Sequence, residues 1–394
     1  MPNKPLVFIY TKTPESIPMI ETPDIGMWEC HDFELHLFNS SLTAEAVIAL
    51  RRPQVIVTTG DARTWEELYV LPYFYRYKWI HVDEITEANR FDVGMAIYNC
   101  FINSSLIPGD NTLVTAFTSI YKTQDKKLDR LYRSLQAQTW RNWEWVIYND
   151  SPGYSNAILE MILDDPRVTY VEGLRNTGII GLNKRTAAML GSGDILAEVD
   201  HDDYVMPDTF RLLVQGFKEF PQCGFYYTEC IETHENGDAI TYGPHAAFGY
   251  CKYHDVYVPE FGKVMPSYIN VPVNGVTMRH IVGVPNHIRA WRKDVYHKLN
   301  GHNTSLYVAD DYELIVRTFL ETRFLNIPTL GYIQYYDDNR QTNTQDIRRS
   351  EIQRAVRYIE SHYSKDITNR ITELTHPDID VHSRDLDLQF TMKL

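Results

Sequence analysis

Three carboxylates, Asp200, Asp202 and Asp203, fall within four positions at the end of an apolar run, ILAEVDHDDY, residues Ile195–Tyr204. Acids this crowded repel one another unless positive charge lies among them. At a strand end they make a hard, oxygen-ligand site suited to Mg2+ or Mn2+, ions that keep open positions for phosphate oxygens. One acid could instead cap the helix that Met206-Pro207-Asp208 announces, since Pro is favoured in a first helical turn. A cap needs only one carboxylate, so it leaves the others unexplained. A second acidic pair, Asp310-Asp311, opens another helical segment, where first-turn acids are ordinary capping and dipole partners. Asp150 ends a third apolar run, Trp145–Tyr148 followed by Asn149.

The hydrophobic pattern names the elements that must position these acids. From Leu113, LVTAFTSIY reads as a strand, and Lys126–Gln138 as an amphipathic helix with Leu128, Leu131 and Leu135 on one side. Strands follow at Trp145–Tyr148, Val168–Val171 and Ile195–Val199, with helices at Ser155–Leu163 and Gly181–Leu190 between them. Ligands of open α/β sheets bind beyond the carboxyl ends of the strands, which places Asp150 and Asp200 in one cleft. Before this region, LVFIY (6–10), VIVTT (55–59) and WIHV (79–82) read as buried parallel strands, with helices over 42–51 and 64–73. They predict a small Rossmann-like α/β domain over 1–105 without G-x-G-x-x-G or P-loop, and a linker over 106–112. After Cys223 the pattern breaks up. Strands are expected at Phe225–Thr228 and Ala239–Tyr242 around the turn Glu235-Asn236-Gly237. Residues 244–285 read as irregular, Asp310–Thr322 and Arg348–Tyr363 as helices, and 366–394 as a polar tail.

The 394 residues carry a formal charge of −14, which argues against a nucleic-acid partner, because phosphate-backbone binding depends on Lys and Arg. It leaves room for one nucleotide held by a metal. Five cysteines without a C-x-x-C indicate neither a disulfide framework nor a zinc site, and read as buried thiols of a reducing compartment. No apolar run is long enough for a membrane-crossing helix, and the N-terminus lacks a signal-peptide core. The expectation is a cytoplasmic protein, with contact to a membrane surface allowed and homo-oligomerisation left open.

From Leu113 to Arg348 the chain resembles the family 2 glycosyltransferases, which have the GT-A fold. VTAFTSIYKTQDKKLDRLYRSLQAQTWRNWEWVIYNDSP is similar to the family's opening strand, helix and second strand ending in an acid. LRNTGIIGLNKRTAAMLGSGDILAEVDHDD is similar to its Asn-x-Gly segment, Gly-Asp turn and acidic motif. PNHIRAWRKDVYHKLNGHNTSLYVADDYELIVRTF is similar to its acceptor-side motif. The order and spacing of the three carry the resemblance, and the first domain lies outside it. The expected fold is a GT-A nucleotide-diphospho-sugar transferase domain, a Rossmann-like mixed sheet over 113–365, after the small α/β domain.

The resemblance implies an inverting, metal-dependent transfer of sugar from a UDP- or GDP-type donor to a hydroxyl on a glycan, lipid-linked or protein-linked acceptor. It makes Asp202 the expected ligand of Mn2+ or Mg2+, with Asp200 on the ribose or a metal-bound water and His287 as a further metal ligand. His201 stands at a variable position of the nucleotide-binding segment and is assigned no role. Asp150 would accept a hydrogen bond from the nucleobase. Ala116, Phe117, Thr118 and Tyr121 resemble the loop that wraps the base, with strand-end packing the alternative for Phe117. Arg175 and Lys184 could meet base or diphosphate, or be solvated surface charges, and Arg340 could close over the diphosphate. Asp311 is the expected general base and Asp310 its supporting contact, although the family usually has Glu-Asp here. Trp291 fits an acceptor platform or, better, the core. Two other classes compete: a nucleotidyl- or phosphoryl-transfer enzyme, for which the residues after Leu113 offer no Gly-rich phosphate loop, and a non-catalytic glycan-assembly module, which both acid clusters disfavour.

Overall fold

The structure is a computed structural model that describes residues 7–11, 20–22, 26–28, 34–37, 55–60, 79–103, 112–154, 157–336, 348–374 and 391–393. It divides into two compact units, Met1–Asp110 with Asp255–Met265, and Asn111–His254 with Pro266–Leu394.

The first unit holds strands β1 (Val7–Thr11), β2 (Ile20–Thr22), β3 (Gly26–Trp28), β4 (Glu34–Leu37), β5 (Val55–Thr59) and β6 (Trp79–Val82), and helix α1 (Arg90–Asn103). Four of the strands form a parallel sheet in the order β4-β1-β5-β6. Val7, Ile9, Val55 and Val57 from the sheet pack with Ile85, Val93 and Ile97. Apolar side chains recurring along both β1 and β5 are what a sheet covered by helices requires. The helices expected over 42–51 and 64–73 lie outside the described residues, as does most of the linker.

The second unit begins with β7 (Val114–Ile120), α2 (Asp125–Gln136), β8 (Trp143–Asn149), α3 (Ala157–Leu163), β9 (Val168–Glu172), α4 (Ile180–Leu190) and β10 (Ile195–Glu198). These follow the expected alternation of strand and helix. Leu128, Leu131 and Leu135 are fully buried, as the spacing on α2 requires. Next come β11 (Tyr204–Val205), α5 (Thr209–Glu219), β12 (Cys223–His234), β13 (Ala239–Ile240), β14 (Lys252–Val258), β15 (Lys263–Ile269) and α6 (Gly275–His280). The chain continues through β16 (Arg289–Arg292), α7 (Lys293–Lys298), α8 (Asp310–Glu321), β17 (Arg323–Tyr336), α9 (Arg349–Leu374) and β18 (Thr391–Lys393).

The central sheet runs β11-β17-β12-β16-β10-β7-β8-β9. Strands β10, β7, β8 and β9 are parallel, whereas β16 joins β10 and β12 antiparallel. Its core stacks Phe117, Leu196, Phe225, Tyr227, Trp291 and Phe324 against Tyr312, Ile315 and Phe319 of α8. Trp291 is therefore core, its indole N–H donating to Thr318 Oγ1 at 3.0 Å.

The structure corrects three expectations. Residues 244–285 are not irregular, for they contain β14, β15 and α6, the last opened by a capping box between Asn274 and Thr277. Helix α9 runs on to Leu374, past the expected tail boundary at 366, with Ile359, Ile367 and Ile371 buried. The four- and eight-residue spacings of these isoleucines continue the helical face through residues that read as polar. In the same tail, Thr391–Lys393 pairs in parallel with β17.

Candidate active site

Strand β10 ends with Glu198, and Asp200 follows at the carboxyl edge of the parallel strands. Glu198 is 1% exposed, an acid within an otherwise apolar strand. A buried charge needs a partner, and Lys184, from α4, supplies it. The Lys184 ammonium lies 2.5 Å from Glu198 Oε1 and 2.8 Å from Asp200 Oδ1. Burial would raise the pKa of Glu198, but Lys184, then His302, Arg289 and His287, bring it down to about 2. At Asp200 burial pushes in the same upward direction and is outweighed by Lys184 and then His287, so this carboxyl lies well below its usual range. The backbone N–H of Asp200 donates to the Tyr332 hydroxyl at 2.9 Å.

The remaining acids of the motif divide their work. Asp203 is buried and accepts a hydrogen bond from the Tyr335 N–H at 2.8 Å. Burial, with Asp202 and Asp200 adding to it, raises its pKa well above the usual value, so Asp203 serves to tie this loop to β17. Asp202 keeps 23% side-chain exposure, with the Lys127 ammonium at 3.6 Å and the His201 imidazole at 3.7 Å from its carboxylate. Both distances exceed a hydrogen bond. The Asp202 carbonyl accepts from Arg130 of α2, whose guanidinium also pairs with Glu235 at 3.1 Å and stacks on the Tyr335 ring.

His287 brings its Nε2 to 3.5 Å from Asp200 Oδ2 and stacks on Tyr332. Burial, aided by Arg289, lowers its pKa to about 4, so the ring is neutral near pH 7. Its Nδ1 is buried without a hydrogen-bond partner. Among the described residues no three His, Cys, Asp or Glu side chains converge into a ready-made metal cage. The arrangement does fit a hard divalent cation in its commoner mode, one or two carboxylates plus substrate phosphates. Asp202 is the carboxylate with room for it, Asp200 being shared with Lys184, and neutral His287 stands next to Asp200 with an unpaired nitrogen.

Asp150 sits where expected, at the end of β8, but its carboxylate is engaged. Oδ1 accepts from the Thr177 N–H at 2.9 Å, and Oδ2 from the Gly178 N–H at 3.1 Å and the Thr177 hydroxyl at 3.3 Å. It thereby fastens the Asn-x-Gly segment to the sheet. Ala116, Phe117 and Thr118 are fully buried within β7. Phe117 packs against Trp291, Tyr296 and His302, and the Thr118 hydroxyl accepts from the Trp145 indole N–H at 2.8 Å. These side chains fill the core, the strand-end packing named as the alternative for Phe117. Tyr121, half exposed just past β7, is the member of that group open to a ligand. Arg175 is exposed beside the Asn-x-Gly segment, and Arg340 lies outside the described residues.

The acceptor-side pair starts α8. Ala309, just before it, has a left-handed backbone (φ 57°), a conformation that costs energy outside glycine and clusters at functional sites. Asp310 turns inward, 5% exposed, with Oδ2 unpartnered. It packs against Gly181 of α4, where an added Cβ would stand 3.0 Å from Asp310 Oδ2. Burial and then Asp311 raise the Asp310 pKa to about 7. The Asp311 side chain is 32% exposed and pairs with Arg289 at 3.0 Å. Burial would raise its pKa, but Arg289 dominates the opposing influences and the net shift is downward.

Sequence reasoning missed Glu198, Arg289 and His302. His302 is fully buried, with Nδ1 2.7 Å from the Tyr296 hydroxyl and Nε2 3.9 Å from Glu198 Oε2. The signal that could have found the network was Glu198 itself, a charge inside the β10 run that demands a cation nearby.

This geometry agrees with the comparison to known proteins. Residues 115–298 match the profile of Glycosyl transferase family 2. This segment is a family 2 glycosyltransferase domain. Its mixed α/β sheet, with the acids at the end of β10, is of the GT-A type. The chain is 27% identical over 128 residues to the uncharacterized protein y4gI of Sinorhizobium fredii, covering 32% of this chain but only 14% of that protein. It is 23% identical over 216 residues to the putative colanic acid biosynthesis glycosyl transferase WcaA of Escherichia coli K12, covering 54% and 68%. Among solved structures, S. aureus TarS 1-349 in complex with UDP aligns with a TM-score of 0.46 and 14% identity over 70% of this chain and 75% of that one. Among the described residues, no helix is long and apolar enough to cross a membrane.

Proposed function

We propose that this glycosyltransferase transfers a sugar, with inversion, from a nucleoside-diphosphate sugar to an acceptor hydroxyl, in a reaction that needs Mn2+ or Mg2+. The observation that carries the reading is the register of β10 with β16. Glu198 pairs with Arg289, Arg289 holds Asp311, and Lys184 joins Glu198 to Asp200, so the first acid after β10 and the acid of α8 belong to one charge network.

Asp202, with His287 as a further candidate, would hold the cation. Bound there, it supplies charge neutralisation for the departing diphosphate. Lys184 keeps Asp200 ionised and oriented. Asp150 fixes the loop that carries Thr177 and Gly178, beside which Tyr121 and Arg175 remain accessible for the base. Asp311, partly exposed and ionised, takes the proton of the acceptor hydroxyl onto its carboxylate as that oxygen attacks. A base facing the acceptor, across the sugar from the leaving group, yields the opposite anomer through an oxocarbenium-like transition state.

The test is nucleotide release from a panel of UDP- and GDP-sugars with Mn2+, Mg2+ or EDTA. Metal-dependent release from one member supports the reading. No release from any, or release undiminished in EDTA, contradicts it.

A further inference from the structure

Arg289 is almost completely buried, yet it touches four separate groups. Its Nε donates to the Pro285 carbonyl at 2.9 Å and its Nη2 to the Gly283 carbonyl at 3.1 Å. Its Nη1 donates to Asp311 Oδ2 at 3.0 Å and lies 3.9 Å from Glu198 Oε2. The other Asp311 oxygen, Oδ1, accepts the Tyr312 N–H at 2.8 Å. Both oxygens are therefore fixed, one by the start of α8 and one by β16.

We propose that Arg289 is a positioning residue for the general base, holding the Asp311 carboxylate in the one orientation that receives the acceptor proton. The proposal rests on Asp311 being that base. The two carbonyls pin the guanidinium on its far side, so that only Nη1 is left to meet a carboxylate. Glu198 stands behind it as counter-charge and is itself anchored by Lys184. A planar fork with several fixed donors can satisfy all these partners together. A lysine ammonium at the same place is a single point charge and cannot reach both carbonyls and the carboxylate. Arg289 thus acts through Asp311, and charge alone does not replace it.

The experiment is a kinetic double-mutant cycle with Arg289→Lys, Asp311→Asn and the double variant. It uses the UDP- or GDP-sugar that gives the fastest nucleotide release in the wild-type protein. Arg289→Lys should lower kcat about tenfold to a hundredfold, the scale of an ångström-sized misplacement, with donor KM changed less than about twofold. In the Asp311→Asn background the same change should alter the residual rate by less than about twofold, because residues acting as one unit are not additive. Equal losses in both backgrounds would show a merely structural role and overturn the proposal. So would a folded Arg289→Lys protein with wild-type kcat. Asp311→Glu gives a second check that leaves Arg289 in place: it keeps the acid but displaces it by one methylene, and should lose kcat on the same scale. Wild-type kcat there also overturns the proposal. A wild-type rate in Asp311→Asn would instead remove the base assignment itself, a failure the cycle separates from that of the clasp.

Discussion

The Lys184 ammonium lies 2.8 Å from Asp200 Oδ1, so the first acid of the motif is already neutralised by the protein. The same ammonium serves Glu198. Buried Glu198 and partly exposed Asp200 would repel without it, whereas with it they form a compact triad at the strand end. Asp202, without a hydrogen-bonded cation at its carboxylate among the described residues, is the acid proposed to take a further cation.

Lys184→Met should therefore be costly. Removing one partner of a buried ion pair leaves uncompensated charge and costs about 3–5 kcal/mol. Urea denaturation should show a loss of that order, and Lys184→Met combined with Glu198→Leu should recover part of it. A loss under about 1 kcal/mol, typical of an exposed pair, would show that the triad is not tightly buried.

Asp150→Ala should free the Thr177 and Gly178 amides. Losing such partly exposed hydrogen bonds costs about 0.5–1.5 kcal/mol each. Hydrogen exchange at these two amides should accelerate, and calorimetry with UDP and GDP should show weaker binding as the loop loosens. Unchanged exchange would mean that something else holds the loop, and unchanged affinity would separate Asp150 from nucleotide recognition.

Asp310 predicts a pH effect on stability. Its pKa of about 7 in the folded protein exceeds the ordinary aspartate value of 3.8, so the folded state holds this proton where the unfolded state has lost it. Stability rises with pH only where the unfolded state binds more protons. Here the reverse holds, and the contribution of Asp310 falls as pH rises from about 4 to about 7, then levels off. Asp310→Asn should flatten that fall and make the protein more stable than wild type at pH 8. Parallel stability curves for the two proteins from pH 4 to pH 8 would contradict it.

Asp311→Asn should lower turnover by about 10²–10⁴-fold, the usual worth of general-base catalysis, with donor affinity nearly unchanged. NMR of the product should show the anomer opposite to the donor's. Retention would remove in-line attack. A near-normal rate beside an inactive Asp310→Asn would move the role one residue earlier.

Much of this was legible in the residues. The acids after β10, Asp150 at the end of β8 and the pair opening α8 all stand at strand or helix ends, as their spacing and apolar flanks required. What local pattern could not give was direction. Phe117 and Thr118 belong to a segment similar to a base-wrapping loop, and their side chains are buried within β7, a placement that the resemblance alone did not give. The partners of Asp150 come from Thr177 and Gly178, across a helix and a strand, and only the fold brings them together. Arg289 meets Glu198 through an antiparallel neighbour inserted between β10 and β12, a pairing no periodicity announces. The extension of α9 was hidden because its buried isoleucines are few and spaced among charges.

The central claim, nucleotide-sugar chemistry at the end of β10, is tested most directly by nucleotide release from the UDP- and GDP-sugar panel, comparing wild type with Asp202→Ala, with and without EDTA. The account predicts release by wild type that needs Mn2+ or Mg2+, is abolished by EDTA, and is lost in a folded Asp202→Ala protein. Release that persists in EDTA and in Asp202→Ala at the wild-type rate would contradict it.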